Sequence, residues 1–283
     1  MIAEHRISVG GVSTSYCESG AGEPILFLHG SPPFVSGKSS FVRQLNGLSD
    51  QFRVIAVDQI GCGGTDYPAD YPPDRKYINR LGRVEHVIGF IEALGLKQIT
   101  LAGNSEGSFV AARVAIVRPD LVSKLVLLTG NSVSPPFGDD RDEAWMRANE
   151  QAYDYSRPMP TEEEFITAWR GYGQDVEDAK REAYRLTAAR GQYEVAQRLP
   201  EEETNFRLYV VLQQKYIIPY LHRLQTKTLI IWSKNDPLVT PDHGLKLAKL
   251  IRNSDFHLLN NAGHAIHIDQ SEAVNRLIRK WAC

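Results

Sequence analysis

The pattern Gly103-Asn104-Ser105-Glu106-Gly107 constrains the fold of this chain more than any other stretch. It follows a strand-like run, Gln98 to Ala102, and precedes a helix-like run, Ser108 to Val117. A serine on a sharp strand-to-helix turn exposes its hydroxyl at the edge of a sheet, and the flanking glycines let strand and helix approach closely. The pattern therefore predicts a nucleophilic serine, Ser105, in a fold that alternates strands and helices.

The rest of the chain continues this alternation. Arg6–Val9 and Val12–Cys17 predict a hairpin across Gly10-Gly11, and a helical period over Asn79–Leu94 ends before Gly95, a predicted C-cap. Six apolar runs have the composition of buried parallel strands: Pro24–Leu28, Arg53–Val57, Ile99–Ala102, Lys124–Thr129, Thr228–Trp232 and Phe256–Leu259. We predict an α/β fold with a mostly parallel central sheet and helices on both faces.

One long segment between Thr129 and Thr228 contains no core strand. It opens with Ser134–Gly138 and continues with four helix-like stretches: Asp140–Tyr153, Thr161–Trp169, Val176–Arg190 and Glu202–Tyr216. Thr161 and Glu164 have the spacing of a capping box. We predict a core domain of residues 1–133 and 223–283, and a helical cap, or lid, of residues 134–222 inserted after the sixth strand. A cap would exclude water and shape the pocket. A separate helical domain is the alternative.

Composition excludes several classes of protein. The 283 residues carry a net charge of −2, so neither a nucleic acid nor an acidic membrane surface is an expected partner. The three cysteines, Cys17, Cys62 and Cys283, are far apart, which argues against disulfides and a zinc site and favours the cytoplasm. The N-terminus does not resemble a signal peptide, and no apolar run is long enough to span a membrane. No metal, nucleotide or flavin motif is present, so we expect no cofactor.

A nucleophilic serine needs a base, and the base needs an acid that orients it. His264 lies in a loop after the last predicted strand, behind Gly263. Asp236 follows the preceding strand, where its carboxylate can hold His264 in one tautomer. The order Ser105, Asp236, His264 is the order of the α/β-hydrolases. We therefore predict a catalytic triad of these three residues.

Other residues compete for two of these roles. His267 lies three residues after His264, and Asp242, Asp255 and Asp269 are further candidates for the acid. The stretch Thr240-Pro241-Asp242 is typical of a helix N-terminus, which explains Asp242 structurally. We favour His264 over His267 because the preceding glycine opens the loop.

The predicted reaction also needs backbone N–H groups where negative charge develops. His29-Gly30-Ser31-Pro32-Pro33 follows a core strand, and its prolines lack an N–H, so Ser31 is the predicted donor from this loop. Glu106, directly after Ser105, supplies the second N–H. Its carboxylate either points to solvent or is hydrogen-bonded, because a free buried anion would oppose an oxyanion. We expect His29 to brace the loop.

These landmarks resemble the α/β-hydrolase superfamily over nearly the whole chain, including Asp58–Asp66, a variant of its D-x-x-G-x-G-x-S-D stretch. The elbow that begins Gly103-Asn104-Ser105, the segment Val239–Leu247 and the helix Ala273–Ile278 are similar to meta-cleavage-product hydrolases. That resemblance implies hydrolysis of a carbon–carbon bond in a vinylogous diketone such as a 2-hydroxy-6-oxo-dienoate from aromatic degradation. It also implies substrate contacts for Asn104 and for Ala265, the residue after the histidine.

The chain departs from that family in the substrate region. Ser31-Pro32-Pro33 replaces a glycine-rich loop, and Ala265 stands where a tryptophan often follows the histidine. The family's carboxylate-binding cap arginine corresponds to Arg181, Arg185 or Arg190, although a charged helix face also explains each of them. A carboxylesterase or lactonase is the first alternative function. A lyase, a cofactor-free oxygenase or a ligand receptor on the same fold is the second. A small molecule is the expected partner. The resemblance is also compatible with a homodimer or larger homo-oligomer, because relatives often form such assemblies.

Overall fold

The computed structural model describes residues 1–69, 79–152, 154–199 and 205–282, and for Tyr209 only the backbone. Its centre is an eight-stranded sheet: β1 (Ala3–Val9), β2 (Val12–Ser19), β3 (Glu23–Leu28), β4 (Phe52–Val57), β5 (Ile99–Asn104), β6 (Val122–Leu128), β7 (Lys227–Ser233) and β8 (Ser254–Leu259). The spatial order is β1-β2-β4-β3-β5-β6-β7-β8. The hairpin and the six core strands predicted from the sequence are all present.

Strand direction follows the sequence pattern. β2 pairs antiparallel with both β1 and β4, and every other pairing is parallel. The central strands β3 and β5 are apolar because both faces of a parallel sheet are covered by helices; Ile25, Leu26, Leu101 and Ala102 are all fully buried. The carboxyl ends of the parallel strands meet at one edge, where the loops that carry the predicted site begin.

Eleven α-helices are found in the described residues. They are α1 (Gly37–Gly47), α2 (Arg80–Ala93), α3 (Glu106–Val117), α4 (Asp140–Ala152), α5 (Glu162–Thr167), α6 (Gln174–Ala189), α7 (Gln192–Gln197), α8 (Phe206–Tyr216), α9 (Pro241–Leu250), α10 (Ile266–Asp269) and α11 (Ser271–Ala282). None of the described helices is long and apolar enough to cross a membrane. Buried residues on the two faces of the sheet form two separate apolar clusters.

Helices α4 to α8 all lie between β6 and β7, and we call residues 140–216 the helical insert. The predicted helices Asp140–Tyr153 and Glu202–Tyr216 each include residues outside the described ones. The capping box is confirmed, because the Thr161 side chain accepts from the Glu164 N–H while the Glu164 carboxylate accepts from the Thr161 N–H. The C-cap is also confirmed, since Gly95 follows α2 with a φ of +66°.

Candidate active site

Ser105 lies at the turn between β5 and α3. Its φ of 52° and ψ of −119° are unfavourable for a residue with a Cβ, and only 4% of the residue is exposed. The predicted need for glycine on both sides is confirmed. A Cβ at Gly103 would lie 2.2 Å from the Gly107 carbonyl oxygen, and one at Gly107 would lie 2.1 Å from the Leu28 carbonyl oxygen. Close approach of β3, β5 and α3 therefore forces the turn that projects Ser105.

His264 and Asp236 are hydrogen-bonded to each other, as the sequence predicts. His264 Nδ1 lies 2.7 Å from Asp236 Oδ2, and the Asp236 side chain is fully buried. The other carboxylate oxygen accepts hydrogen bonds from the backbone N–H groups of Leu238 (2.8 Å) and Val239 (3.1 Å). These donors fix the carboxylate, and the carboxylate fixes the imidazole with Nε2 as the free nitrogen. Among the described residues, His264 Nε2 is buried and has no hydrogen-bond partner.

The loop that carries His264 is attached to the residue that precedes Ser105. The carbonyl oxygen of His264 accepts a hydrogen bond from Thr129 Oγ1 at 2.9 Å and a longer one from Asn104 Nδ2 at 3.5 Å. Asn104 Nδ2 also donates to Thr129 Oγ1 at 2.9 Å. In the structure Asn104 therefore joins the ends of β5 and β6 to the histidine loop, and a contact with substrate stays a prediction.

The competing residues have other partners. His267 is buried, its ring packs 4.9 Å from that of Phe41, and burial with the nearby Lys180 charge lowers its pKa to about 3. Asp269 accepts a hydrogen bond from the Gly263 N–H at 2.6 Å, and Asp255 accepts one from the indole of Trp281. The side chain of Asp242 is 60% exposed near Arg141. Of these candidates, only His264 is held by a buried carboxylate.

Ser31 and Glu106, the two predicted oxyanion donors, are in direct contact through their side chains. Ser31 Oγ donates to Glu106 Oε2 at 2.6 Å. The carboxylate also forms an ion pair with Arg83 of α2, with 2.5 Å between Arg83 Nη1 and Glu106 Oε1. Only 7% of the Arg83 side chain and 6% of the Glu106 side chain are exposed. The solvent-exposed alternative for Glu106 is wrong, and the hydrogen-bonded one is confirmed.

The charge state of this cluster follows from its neighbours. Burial alone raises the pKa of Glu106, but the charges of Arg83 and Arg80 and the Ser31 hydrogen bond outweigh it and lower the pKa. His29 braces the loop as predicted, because its Nε2 accepts from the Gln59 N–H at 3.0 Å. Burial lowers the pKa of His29 to about 4, so the imidazole is neutral at pH 7.

The helical insert bonds directly to loops at this edge of the sheet. The Phe34 N–H donates to Thr187 Oγ1 at 3.1 Å, and the Tyr155 hydroxyl donates to the Pro32 carbonyl at 2.9 Å. Gln192 Nε2 donates to the Gly63 carbonyl at 3.0 Å. The loop that begins at His29 is therefore attached to both α6 and the segment after α4.

The three insert arginines predicted to bind substrate have acidic partners. Arg181 and Arg185 both pair with Glu162 at 2.9 Å, and the Arg185 side chain is 68% exposed. Arg190 pairs with Asp66 at 2.6 Å. Each of the three therefore has a carboxylate partner among the described residues, and a contact of any of them with substrate stays a prediction. Ala265, the other predicted substrate contact, is half-buried directly after His264.

Sequence reasoning missed three residues of this region: Thr129, Arg83 and Lys180. Arg83 lies on the buried face of α2 with Val84 and Val87, and Lys180 lies on the buried face of α6. A helical projection could have placed both cations on apolar faces. No local pattern indicates Thr129, whose role depends on the meeting of β6 with the histidine loop. No group of three or more metal-binding side chains occurs in the described part of the chain.

The chain is similar to known proteins over most of its length. The sequence model of the alpha/beta hydrolase fold family matches residues 23–271. The chain belongs to this family. A 2-hydroxymuconate semialdehyde hydrolase of Pseudomonas putida is 29% identical over 98% of this chain and 92% of its own. A 2-hydroxy-6-oxononadienedioate/2-hydroxy-6-oxononatrienedioate hydrolase from the same species is 30% identical, over 93% of this chain and 89% of its own.

A solved structure agrees with these relatives. The meta-cleavage product hydrolase from Pseudomonas fluorescens IP01 superposes with a TM-score of 0.70 at 25% identity, covering 98% of this chain and 96% of that one. The predicted α/β-hydrolase fold is confirmed, and the chain is a hydrolase similar to the carbon–carbon hydrolases of this family.

Proposed function

We propose that this protein is a serine hydrolase that cleaves a carbon–carbon bond in a 2-hydroxy-6-oxo-dienoate. The observation that carries the proposal is the 2.7 Å bond between His264 and the buried Asp236, on a loop joined to the residue beside Ser105. The carbon–carbon hydrolases among its relatives support the choice of substrate class.

His264 is the proposed proton carrier. Asp236 holds Nδ1, so Nε2 exchanges protons with Ser105 or with the substrate. In the first step, the proton of the substrate's 2-hydroxyl group moves to the carbon beside the 6-keto group, which gives the diketone. That carbon can then leave with a bonding electron pair because the new keto group accepts the charge through the conjugated chain.

The second step breaks the carbon–carbon bond. Ser105 or a water molecule deprotonated by His264 adds to the 6-keto carbon, and the N–H groups of Ser31 and Glu106 stabilise the resulting oxyanion. Collapse of this intermediate expels the dienolate. Addition of one water overall yields a carboxylic acid and a 2-hydroxydienoate, so all atoms balance.

We further propose that the helical insert is the cap of this site. Its bonds to Phe34, Pro32 and Gly63 support this role, because all three residues lie on loops at the edge of the sheet where Ser105 lies. A cap in this position would exclude bulk water from the site while the carbanion exists.

The test compares turnover of a yellow 2-hydroxy-6-oxo-dienoate with that of a short p-nitrophenyl ester. We expect the wild type to prefer the dienoate. Ser105→Ala and His264→Gln should each lower kcat by at least about 10³-fold, as loss of a triad member does. His257→Gln, on the exposed face of β8, is the matched control and should keep full activity.

Three outcomes would contradict the proposal. Ester turnover with an untouched dienoate would place the protein with the carboxylesterases or lactonases and would leave the triad intact. Full activity of His264→Gln with an inactive His267→Gln would show that the base has been misassigned. Binding without turnover of either substrate would favour a receptor.

A further inference from the structure

Lys180 of α6 is a buried lysine without an anionic partner. The residue is 5% exposed, and no hydrogen bond or ion pair within the described residues involves its Nζ. Nζ lies 4.0 Å from the centroid of the Trp169 ring. Burial lowers the pKa of Lys180 to about 7. Arg181 and Arg185, on the outer side of the same helix, both have glutamate partners, so the buried cation differs from its neighbours.

Lys180 lies where the helical insert meets the loop after His264. The Trp169 ring, which contacts the Lys180 ammonium, packs against a buried cluster. Ala265, which follows His264, packs against the same cluster: Val42, Val176, Ala179 and Ile268. The positive charge of Lys180 also contributes to the lowered pKa values of His29 and His267. Helix α6, which carries Lys180, therefore packs beside the loop of His264 and is bonded through Thr187 to the loop of Ser31.

An unpaired ammonium in the interior is costly, and binding of an anion offsets that cost. The groups around Lys180 do not supply an anion: Trp169 and Ala265 are apolar, and burial keeps His29 and His267 neutral at pH 7. We infer that Lys180 binds the carboxylate of the substrate, between the face of Trp169 and Ala265. This inference rests on the proposed function, and it assigns to Lys180 the role that the sequence suggested for an arginine.

The geometry also indicates which carboxylates fit. We expect a flat conjugated chain attached to the carboxylate to lie along the face of the Trp169 ring. Hydrolysis at Ser105 requires a carbonyl at the other end of such a chain. The ligand class is thus an unsaturated carboxylic acid with a carbonyl several bonds from the carboxylate.

The test uses sorbate (hexa-2,4-dienoate) and its neutral isostere sorbamide, with binding measured by calorimetry on the full-length protein. We expect the wild type to bind sorbate at least about 10-fold more tightly than sorbamide. Lys180→Met should weaken sorbate binding by about 10- to 100-fold, which is the usual loss for a charged hydrogen bond, and leave sorbamide binding unchanged. Lys180→Arg should recover part of the difference.

Lys215→Met removes an exposed cation from α8 of the same insert and is the matched control, with sorbate binding expected to stay within twofold of wild type. For dienoate turnover, Lys180→Met should raise KM more than it lowers kcat. If Lys180→Met does not fold, the wild-type comparison still decides, because equal binding of sorbate and sorbamide overturns the inference. Unchanged sorbate affinity in a folded Lys180→Met also overturns it.

Failure of the two proposals can be told apart. Hydrolysis of esters only, together with sorbate binding that depends on Lys180, contradicts the proposed carbon–carbon cleavage and supports the carboxylate site. Dienoate cleavage together with sorbate binding that does not depend on the charge at position 180 supports the proposed reaction and contradicts the carboxylate site.

Discussion

At the scale of single residues, Ser105 combines chemistry with an unfavourable backbone conformation. Its φ of 52° and ψ of −119° favour glycine, so the Cβ that carries the proposed nucleophile also destabilises the fold. We expect Ser105→Gly to be more stable to urea than Ser105→Ala, by about 1 kcal/mol. Ser108→Gly and Ser108→Ala in α3 form the matched pair, and the order should reverse there because glycine weakens a helix. A less stable glycine variant at 105 would contradict the prediction.

The second residue-scale prediction concerns the buried pair of Glu106 and Arg83. Glu106→Gln keeps the shape of the side chain but leaves the Arg83 guanidinium without its carboxylate. We expect a loss of about 3 kcal/mol in the free energy of unfolding at pH 7. Glu143→Gln, which breaks the exposed pair with Arg207, should cost less than about 1 kcal/mol.

This loss should depend on pH in a defined direction. The pKa of Glu106 is lower in the folded than in the unfolded protein, so its stabilisation is present above its ordinary value and is lost as pH falls through the folded value. Denaturant unfolding between pH 7 and pH 3 measures the difference in the free energy of unfolding between the wild type and Glu106→Gln. This difference should become smaller toward pH 3. If the difference in unfolding free energy became larger in acid, Glu106 would be protonated at neutral pH.

At the scale of elements, α6 affects the loop of Ser31 through one hydrogen bond. Thr187 is fully buried and accepts from the Phe34 N–H, so Thr187→Val leaves that N–H without this acceptor while keeping the side-chain volume. We expect kcat to fall by about 10-fold with a smaller change in KM, since the bond positions the loop of the proposed oxyanion donor Ser31 rather than the substrate. Thr167→Val, on exposed α5, is the control and should match the wild type in steady-state kinetics.

Elements were also the scale at which sequence reasoning was most reliable. The runs of β3 to β7 are short and apolar because parallel strands inside the sheet are buried on both faces, and that composition can be seen without a structure. The edge strand β8 is largely exposed. Glycine on either side of Ser105 reflects a steric limit, which is equally local. The pairing of Glu106 with Arg83 was not predictable, because it depends on α2 packing beside the turn at Ser105.

At the scale of the whole molecule, sequence patterns identified charged residues but not their surroundings. Arg181, Arg185 and Lys180 lie within six residues on one helix, and the family resemblance suggested an arginine for substrate. Only the packing of α6 on the core shows that the arginines face glutamates while the lysine faces the interior. Periodicity indicates that a helix face is buried; the assembled molecule determines what it is buried against.

The bonds from the helical insert to the loop of Ser31 affect how this enzyme can diversify. Substitutions that adapt the insert to a new substrate also act on the loop of Ser31, the proposed oxyanion donor, through Thr187 and Tyr155. Substrate range and catalytic rate are therefore coupled traits under selection. In a mutant library confined to the insert, variants that gain a new substrate should often lose rate on every substrate, and second-site changes near Phe34 should restore it.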